Sequence, residues 1–535
     1  MKALKAKDST QNILEKEASE GNADISGPSD SSEGCQQSEP AVSPPYRLSL
    51  RQFLLFLGPG LLMSVAYLDP GNLQADIQAG SQTGFALLWW FALVMLVCGT
   101  AFQCMSGRLG IITGRDLAQH CGQQYGRFAR LLLWVLIEIA IIGADVQETV
   151  GCAQALHLLS QSKIPLWAGC IITSVTAFML LMLERTGSAR WLEALFGAVI
   201  GVEAVAMAVN FFQAGVPASK IARGLFVPSI PSGSIPVLVG ALGALVMPYN
   251  IYFHSSVVNR RKHDASCEKR ARGLLWYLRL ENVLILFMAF LINLCVTCVF
   301  AYGFHDNPDY PTDDIGLESA GIMLGERFGT SFKYLWAIGL LASGQIATVG
   351  LTYAGQLVMC GLLNLEVKGW VRFWGTRLVA LAPTVAIASL SNANNSFDKL
   401  NSLLNIVQSL QLPFALIPVI HMTANRNVIG ATFRTRLPLL LFASGIAAVV
   451  VGINGWVLVD FLKTKLPQTA GAYAGWSLLM ATYFCIVLYY AIGPERVGRW
   501  AERSRRQACG LSKRAAQLAG RIQWRDPESM LEVHL

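Results

Sequence analysis

The chain has 535 residues, of which 53% are hydrophobic and 14% are charged, and its mean hydropathy is +0.45. A soluble globular protein has about 25% charged residues, so this composition excludes a water-soluble fold and predicts an integral protein of the lipid bilayer. The formal net charge is +8, but the basic residues occur in short clusters between apolar runs, which does not indicate nucleic-acid binding. No G-x-x-x-x-G-K-[ST] motif is present, which argues against a nucleotide partner and ATP-driven pumping. We also expect no cofactor and no enzymatic activity.

The chain divides into a long apolar domain and two polar tails. Residues 1–46 are rich in Ser, Glu, Gln and Pro, which predicts a disordered N-terminal tail. Residues 47–493 form the predicted transmembrane domain, because apolar runs of about 20 residues recur and each is long enough to cross a bilayer. We predict twelve spans, at 53–79, 84–107, 131–158, 165–184, 190–214, 235–258, 275–303, 332–362, 376–391, 400–425, 436–460 and 472–493. Residues 494–535 form a basic C-terminal tail.

The loops predict one orientation in the membrane. Basic residues concentrate in the connections after even-numbered spans, as in the run from Arg260 to Arg272 and at Lys368 and Arg372. The connections after odd-numbered spans are poorer in basic residues, and the seventh is acidic from Asp306 to Glu318, which we interpret as a solvated outer loop. By the positive-inside rule, both tails are predicted to be cytoplasmic.

Two spans carry a helix-breaking sequence at mid-membrane. Span 1 contains Asp69-Pro70-Gly71-Asn72 and span 6 contains Met247-Pro248-Tyr249-Asn250, with Pro second and Asn fourth in both. Pro and Gly remove helical hydrogen bonds and favour an interruption. Two interrupted helices five spans apart are typical of an inverted five-plus-five repeat, here over about 50–215 and 235–425, with extra spans over about 436–493.

The residues at these breaks offer ligands for a metal ion. Asp69 is an ionisable group at membrane depth and therefore a functional candidate, with a structural ion pair as the alternative. Asn72 offers a neutral oxygen and Met247 a thioether, and the unwound Ala66 and Ala244 offer backbone carbonyls. Sulfur beside oxygen favours Mn²⁺, Fe²⁺, Co²⁺ or Cd²⁺ over Mg²⁺ and Ca²⁺, although a methionine in a membrane helix is more often a packing residue.

The two tetrapeptides resemble the D-P-G-N and M-P-H-N signatures of the Nramp family of proton-coupled divalent-metal transporters. Three further blocks resemble the family in the same order along the chain, and the match extends from about residue 50 to residue 490. They are Ala144-Asp145-Val146-Gln147-Glu148, the run from Gly344-Gln345 through Thr352-Tyr353-Ala354-Gly355-Gln356 to Thr376-Arg377, and Gln408-Ser409-Leu410-Gln411-Leu412-Pro413-Phe414.

The resemblance implies an all-α, LeuT-like fold in which the inverted repeat is followed by two extra helices. It also implies that Asn405 joins the metal site in some conformations, with Gln408 one turn further along the helix. The complete implied metal site is Asp69, Asn72, Met247, Asn405, Gln408 and the carbonyls of Ala66 and Ala244.

The same resemblance implies a polar route by which protons leave to the cytoplasm. Asp145 and Glu148 are three residues apart and so share one helix face. Arg261 and Arg377 join them in the implied route, and Asp69 is a further proton carrier. Buried carboxylates paired with arginines are also consistent with a purely structural network.

The sequence departs from the family pattern at Tyr249, where the family has histidine. Histidine titrates near neutral pH, whereas the pKa of an unperturbed tyrosine is about 10. The second family histidine of this helix is present as His254. Metal binding is expected to survive because the ligand is Met247, but proton coupling is put in question.

These observations predict a secondary active carrier that imports divalent transition-metal ions, Mn²⁺ or Fe²⁺ first and Co²⁺, Cd²⁺ or Zn²⁺ as further candidates, together with protons. Three alternatives stay open: a non-transporting metal sensor on the same scaffold, a LeuT-fold carrier of another solute, and an ion channel. The sequence leaves the physiological metal, the oligomeric state and the membrane undecided, with the plasma membrane and an endosomal or vacuolar membrane both consistent.

Overall fold

The computed structural model describes residues 67–186, 189–260, 268–305, 315–365, 367–389, 393–464, 469–494 and 496. The predicted N-terminal tail, Ala66 and Arg261 lie outside these ranges, as does nearly all of the C-terminal tail. The described residues belong to one compact unit, which spans Ser49–Leu535.

The described residues are almost entirely helical, as the composition predicts. The segment of the predicted first repeat contains α1 (Pro70–Thr83), α2 (Leu88–Thr113), α3 (Leu117–Gln124), α4 (Arg127–Leu159), α5 (Leu166–Thr186) and α6 (Ala189–Ala214), and α7 (Ala218–Phe226) follows it. The segment of the predicted second repeat contains α8 (Ile235–Leu245), α9 (Pro248–Arg260), α10 (Glu268–Gly303), α11 (Leu317–Phe328), α12 (Thr330–Leu363), α13 (Gly369–Ala388), α14 (Ala393–Gln411) and α15 (Pro413–Ala424). The remaining helices are α16 (Arg426–Phe433), α17 (Leu437–Thr464) and α18 (Ala470–Ile492).

Seven helical stretches in the described part of the chain are long and apolar enough to cross a membrane. They correspond to the predicted spans 2, 6, 7, 8, 10, 11 and 12. Helices also occupy the positions of spans 3, 4, 5 and 9, but their described parts are shorter or more polar. The membrane character of the chain is confirmed, and the count of twelve spans stays a prediction.

The second predicted helix break lies at its proline, and at the first a helix begins at the proline. Helix α1 begins at Pro70, with Asp69 in an extended conformation as its N-cap, and residues before Tyr67 lie outside the described ranges. Helix α8 ends at Leu245, and α9 begins at Pro248 after Val246, whose φ of −129° and ψ of 76° are not helical. Proline is favoured at the first position of a helix because it lacks the N–H that would have no partner there.

The helices around the breaks pack at backbone contact. Helix α8 lies against α14 and α1, and α1 lies against α10. A Cβ atom at Gly243 would lie 1.9 Å from the carbonyl oxygen of Asn405, and one at Gly151 on α4 would lie 2.4 Å from Pro70 Cβ. These glycines therefore set the distance at which α14 and α4 approach the two breaks.

The last two helices lie at the margin of the bundle. In an apolar stretch of 18 residues, only 22% of α17 and 11% of α18 is buried, whereas 83% of such a stretch is buried in the α8–α9 pair. Large apolar side chains are exposed on them, including Leu441 and Leu478. Exposed apolar helices of this kind face lipid.

We predict that Gly243→Ala destabilises the protein whereas Gly240→Ala, on the same helix, does not. The new methyl group at Gly243 would meet two backbone atoms of α14, the Asn405 oxygen at 1.9 Å and the Ser409 nitrogen at 2.6 Å, so the helix has to move. Overpacking costs about 1–3 kcal/mol. At Gly240 the nearest atom is Asn405 Cβ at 3.8 Å, and alanine adds helix propensity. Thermal unfolding of the purified variants in detergent measures the difference, and equal midpoints for the two would contradict it.

Candidate metal site

Asp69 is a buried carboxylate that caps a helix inside the membrane. Its Oδ1 accepts the N–H of Asn72 at 2.8 Å, which satisfies one of the free donors at the start of α1. Its side chain is fully buried, and Oδ2 accepts no hydrogen bond from the described residues. A carboxylate oxygen without a donor is costly at this depth and is suited to bind a cation.

Met247 occupies the second break, between α8 and α9. Its side chain is fully buried, and the Tyr249 hydroxyl donates a hydrogen bond to its Sδ at 2.9 Å. Pro248 lacks the N–H that would otherwise bond to the carbonyl of Ala244 one turn before it, so that carbonyl loses its helical donor. Tyr249 also lies within electrostatic range of Asp69 and Glu148, which brings the two breaks and α4 close together.

Asn405 and Gln408 reach the first break through a third side chain, Gln147 of α4. Asn405 Nδ2 donates to the carbonyl of Gly71 at 3.0 Å, and its Oδ1 accepts from Gln147 Nε2 at 2.8 Å. Gln408 Nε2 donates to Gln147 Oε1 at 2.7 Å, and Gln147 also donates to the carbonyl of Asn401 at 3.1 Å. We call Gln147, Asn405 and Gln408 the amide cluster. Within it, Asn405 contacts Gly71 directly, whereas Gln408 contacts Gln147.

Gln147 was missed as a site residue by the sequence analysis. It stands between Asp145 and Glu148, inside one of the blocks that resemble the family. A Cβ atom at Gly71 would lie 3.0 Å from Gln147 Oε1 and 3.2 Å from Asp69 Oδ1, so Gly71 admits both groups. The sequence feature that could have indicated Gln147 is an uncharged polar residue between two acidic residues on an otherwise apolar helix.

The donors form a mixed set. No group of three or more His, Cys, Asp and Glu side chains in the described part of the chain has the geometry to hold a metal ion. Asp69 is the acidic candidate ligand, and the other candidate donors are an amide oxygen, a thioether and carbonyls. A site with one charge and several neutral donors binds a divalent ion reversibly rather than permanently.

The predicted proton-route residues separate into two places. Asp145 Oδ1 pairs with Arg377 Nη1 at 2.8 Å, and Arg377 also donates to Thr149 Oγ1. Glu148 lies one turn further along α4 and is buried. The structure does not bring His254 to this pair: its Nδ1 faces the carbonyl of Gln103 on α2 at 3.1 Å.

A second buried ion pair joins the same two helices. Arg372 Nη2 lies 2.7 Å from both carboxylate oxygens of Glu138, and Arg372 is 7% exposed. The placement of Arg372 in a cytoplasmic connection was wrong, because α13 begins at Gly369 and not near residue 376. Gly355 makes room for the guanidinium, since a Cβ atom there would lie 2.3 Å from Nη2.

The interpretation of the seventh loop also needs one correction. Glu318 is buried at the start of α11 and lies 3.6 Å from His157 Nε2, so it is not a solvated loop residue. The acidic residues from Asp306 to Asp314 lie outside the described ranges.

The chain matches the family model described as natural resistance-associated macrophage protein-like (Nramp) over residues 60–460. It is 41% identical over 446 residues to metal transporter Nramp2 of Oryza sativa subsp. japonica, covering 82% of this chain and 84% of that protein. It is also 41% identical over 452 residues to metal transporter Nramp3 of Arabidopsis thaliana, covering 84% of this chain and 87% of that protein. The chain belongs to the Nramp family.

Solved structures support the fold of this Nramp protein. A mutant of the Eremococcus coleocola manganese transporter superimposes with a TM-score of 0.74 at 24% identity, covering 84% of this chain and 96% of that chain. The inward-facing conformation of Mhp1 superimposes with a TM-score of 0.52 at 14% identity, over 84% of this chain and 91% of that one. At these identities the similarity concerns the fold alone, and it confirms the predicted LeuT-like architecture.

We predict that the Asp145–Arg377 pair of this Nramp protein is strongly coupled. Arg377→Met leaves the Asp145 carboxylate buried without its partner, which costs about 3–5 kcal/mol. Asp145→Leu combined with Arg377→Met removes both charges and is expected to cost less than Arg377→Met alone. A double-mutant cycle by thermal unfolding measures the coupling, and additive effects would show that the two groups do not depend on each other.

Proposed function

We propose that this Nramp protein is a secondary active transporter that imports divalent transition-metal ions by alternating access. The observation that carries the proposal is the buried Asp69 carboxylate, whose Oδ2 has no hydrogen-bond donor among the described residues and which lies in extended backbone at the start of α1. Unwound segments of this kind bind the substrate of transporters with inverted repeats. The names of the relatives, metal transporter Nramp2 and Nramp3, support a metal ion as substrate.

Asp69 Oδ2, which has no hydrogen-bond donor among the described residues, and the carbonyl of Ala244 are proposed as hard oxygen donors. Asn72 is proposed to supply an amide oxygen, and the carbonyl of Ala66, outside the described ranges, stays a predicted ligand. Within the amide cluster, Gln408 is the better ligand in this conformation: its Oε1 accepts no hydrogen bond from described residues, whereas both polar atoms of the Asn405 side chain are engaged. Asn405 joins the site only when its bonds to Gln147 and Gly71 break.

Selectivity rests on Met247. A thioether adds little to the binding of Ca²⁺ or Mg²⁺, which prefer oxygen, and more to the binding of Mn²⁺, Fe²⁺ or Cd²⁺. The hydrogen bond from the Tyr249 hydroxyl engages a lone pair of Met247 Sδ. Metal binding at Sδ therefore competes with this hydrogen bond, and Tyr249 adjusts the preference between softer and harder ions.

Protons are proposed to accompany the metal along α4. Asp69 accepts a proton when the metal leaves, and Glu148 and Asp145 continue the route toward the end that we predict to be cytoplasmic. Arg377 holds Asp145 in place at 2.8 Å. Tyr249 does not titrate near neutral pH in the way that the family histidine does, so coupling through the second break is expected to be weaker.

A cavity of about 500 Å³ offers a proposed entry from the opposite end of the bundle. Its charged lining residues are Asp398, Asp460 and Lys399, and the rest of its lining is largely apolar. Gln78 also lines it, and Gln78 Nε2 donates to Ser402 Oγ at 2.5 Å, which joins α1 to α14 at the cavity. Two carboxylates against one lysine favour cations in the cavity.

We predict that Asp69→Asn abolishes Mn²⁺ uptake into proteoliposomes while the protein stays folded. Asparagine keeps the N-cap but removes the only charge of the site. The matched control is Asp116→Asn, because Asp116 caps α3 in the same way, accepting the N–H of Gln119 at 2.8 Å, far from the site. Uptake is measured with and without excess Ca²⁺, which is expected not to compete.

Loss of uptake in both variants would point to a folding effect. Wild-type protein that moves no Mn²⁺ would contradict the transport proposal and favour a sensor or another substrate.

We predict that Tyr249→Phe raises the affinity for Cd²⁺ by several-fold and that for Mn²⁺ by less, because Met247 Sδ loses its hydrogen-bond donor. Tyr249→His is expected to make uptake more dependent on external pH. The control is Tyr252→Phe on the same helix, whose hydroxyl donates to the carbonyl of Phe414 at 2.9 Å. Isothermal titration with each metal and uptake at two pH values test both effects. An equal change in affinity for Cd²⁺ and Mn²⁺ would show that Tyr249 does not act through the sulfur of Met247.

A further inference from the structure

A second cavity, of about 430 Å³, lies at one end of the bundle and plays no part in the proposed transport route. It lies where α15 and α18 end, where α16 begins and where α3 ends, next to the start of α17. The positive-inside rule places this end in the cytoplasm, because the basic connections converge on it. Its volume falls within the range of about 300–1,000 Å³ that is typical of ligand pockets.

Three arginines from different segments line this cavity. Arg426 begins α16, Arg434 precedes α17, and Arg496 follows α18. None of the three forms an ion pair with a described residue, in contrast to the buried Arg372 and Arg377. Positive charges that converge without a counter-charge repel each other, so their arrangement favours an anion between them.

The other polar groups of the cavity suit an oxyanion. Gln124, His421 and Asn427 add neutral donors to its wall, and no Asp or Glu is among its described lining residues. Guanidinium groups bind phosphate with charge-assisted, often bidentate hydrogen bonds. The chemistry of the lining therefore indicates a phosphate group as ligand.

The surface beside the cavity is apolar, which distinguishes a lipid from a soluble phosphate. Ile492 lines the cavity and is 46% exposed, and Leu437 and Leu441 on the adjoining helix are 65% and 63% exposed. These side chains belong to the two helices with the least buried surface. A ligand with a phosphate head and acyl chains matches both the charged cavity and this apolar surface.

We infer that the cavity binds the phosphorylated headgroup of an anionic lipid of the inner leaflet, with a phosphomonoester between Arg426, Arg434 and Arg496 and the acyl chains along α17 and α18. A phosphomonoester carries about −1.5 to −2 charges at neutral pH, which three arginines neutralise. Basic pockets between membrane helices on the cytoplasmic side bind such headgroups. The bound lipid links α16 and the end of α18 to α15, the helix that directly follows Gln408 and the rest of α14.

The test is native mass spectrometry of the full-length protein in detergent, titrated with dioctanoyl phosphatidylinositol bisphosphate, phosphatidylserine and phosphatidylcholine. We expect one phosphoinositide to bind about tenfold more tightly than phosphatidylcholine. In Arg426→Gln/Arg434→Gln this affinity falls by about tenfold or more, since two charge-assisted hydrogen-bonding groups are lost. The readout does not depend on transport, so it stands apart from the metal proposal.

The matched control is Arg436→Gln, which removes the same charge two residues from Arg434 but does not line the cavity. Its effect is expected to stay within about twofold, because exposed surface charges are screened. An equal loss in this variant would mean non-specific surface attraction and would overturn the inference. If Arg426→Gln/Arg434→Gln does not fold, the single variant Arg496→Gln takes its place, with the same expected direction.

A third titration distinguishes the phosphate of a lipid headgroup from that of a soluble compound. Soluble inositol hexakisphosphate is titrated under the same conditions and then in competition with the lipid. Weak competition supports the lipid, because the acyl chains contribute to binding. Soluble phosphate that binds as tightly as the lipid, or a lipid without preference over phosphatidylcholine, would overturn the inference.

Discussion

The structure depends on how it satisfies the backbone where α1 begins. In the hydrocarbon region no water replaces a missing helical hydrogen bond, so a helix end there needs side chains that supply the partners. Asp69 provides one by accepting the N–H of Asn72, and Asn405 provides another by donating to the carbonyl of Gly71. These groups are also candidate groups of the metal site, so a change to either of them affects the helix end as well.

Two buried arginines extend this constraint to the rest of the bundle. Arg377 and Arg372 tie α13 to α4 through Asp145 and Glu138, at points seven residues apart on α4. Buried ion pairs contribute little net stability, but separating one is costly. The two pairs therefore fix the position of α13 along α4. Gln147, which contacts the candidate metal site, lies on the same helix α4. Helices α17 and α18 share none of these ion pairs among the described residues and pack chiefly through apolar side chains.

The sequence predicted those features that arise from local chemistry. The breaks followed from the placement of Pro70 and Pro248, because proline acts on the helix that contains it, whatever lies around it. The set of candidate ligands followed from residue type at membrane depth and from the resemblance to the Nramp family. Glu138–Arg372 did not follow, since the partners are 234 residues apart and Arg372 resembled a basic loop residue. The role of Gln147 also depends on contacts with α14, 254 to 261 positions away, which no local pattern reveals.

The amide cluster has a consequence for the energy of switching between conformations. A carboxamide carries a donor and an acceptor on one planar group, and a half turn about its last torsion exchanges them. Gln147, Asn405 and Gln408 are uncharged, so such exchanges move no net charge through the low-dielectric interior. Neighbouring amides are able to turn together and present oxygen instead of nitrogen to an arriving cation. In the proposed transport cycle, such rotations would let the side chains of α4 and α14 respond to a cation without movement of the helices.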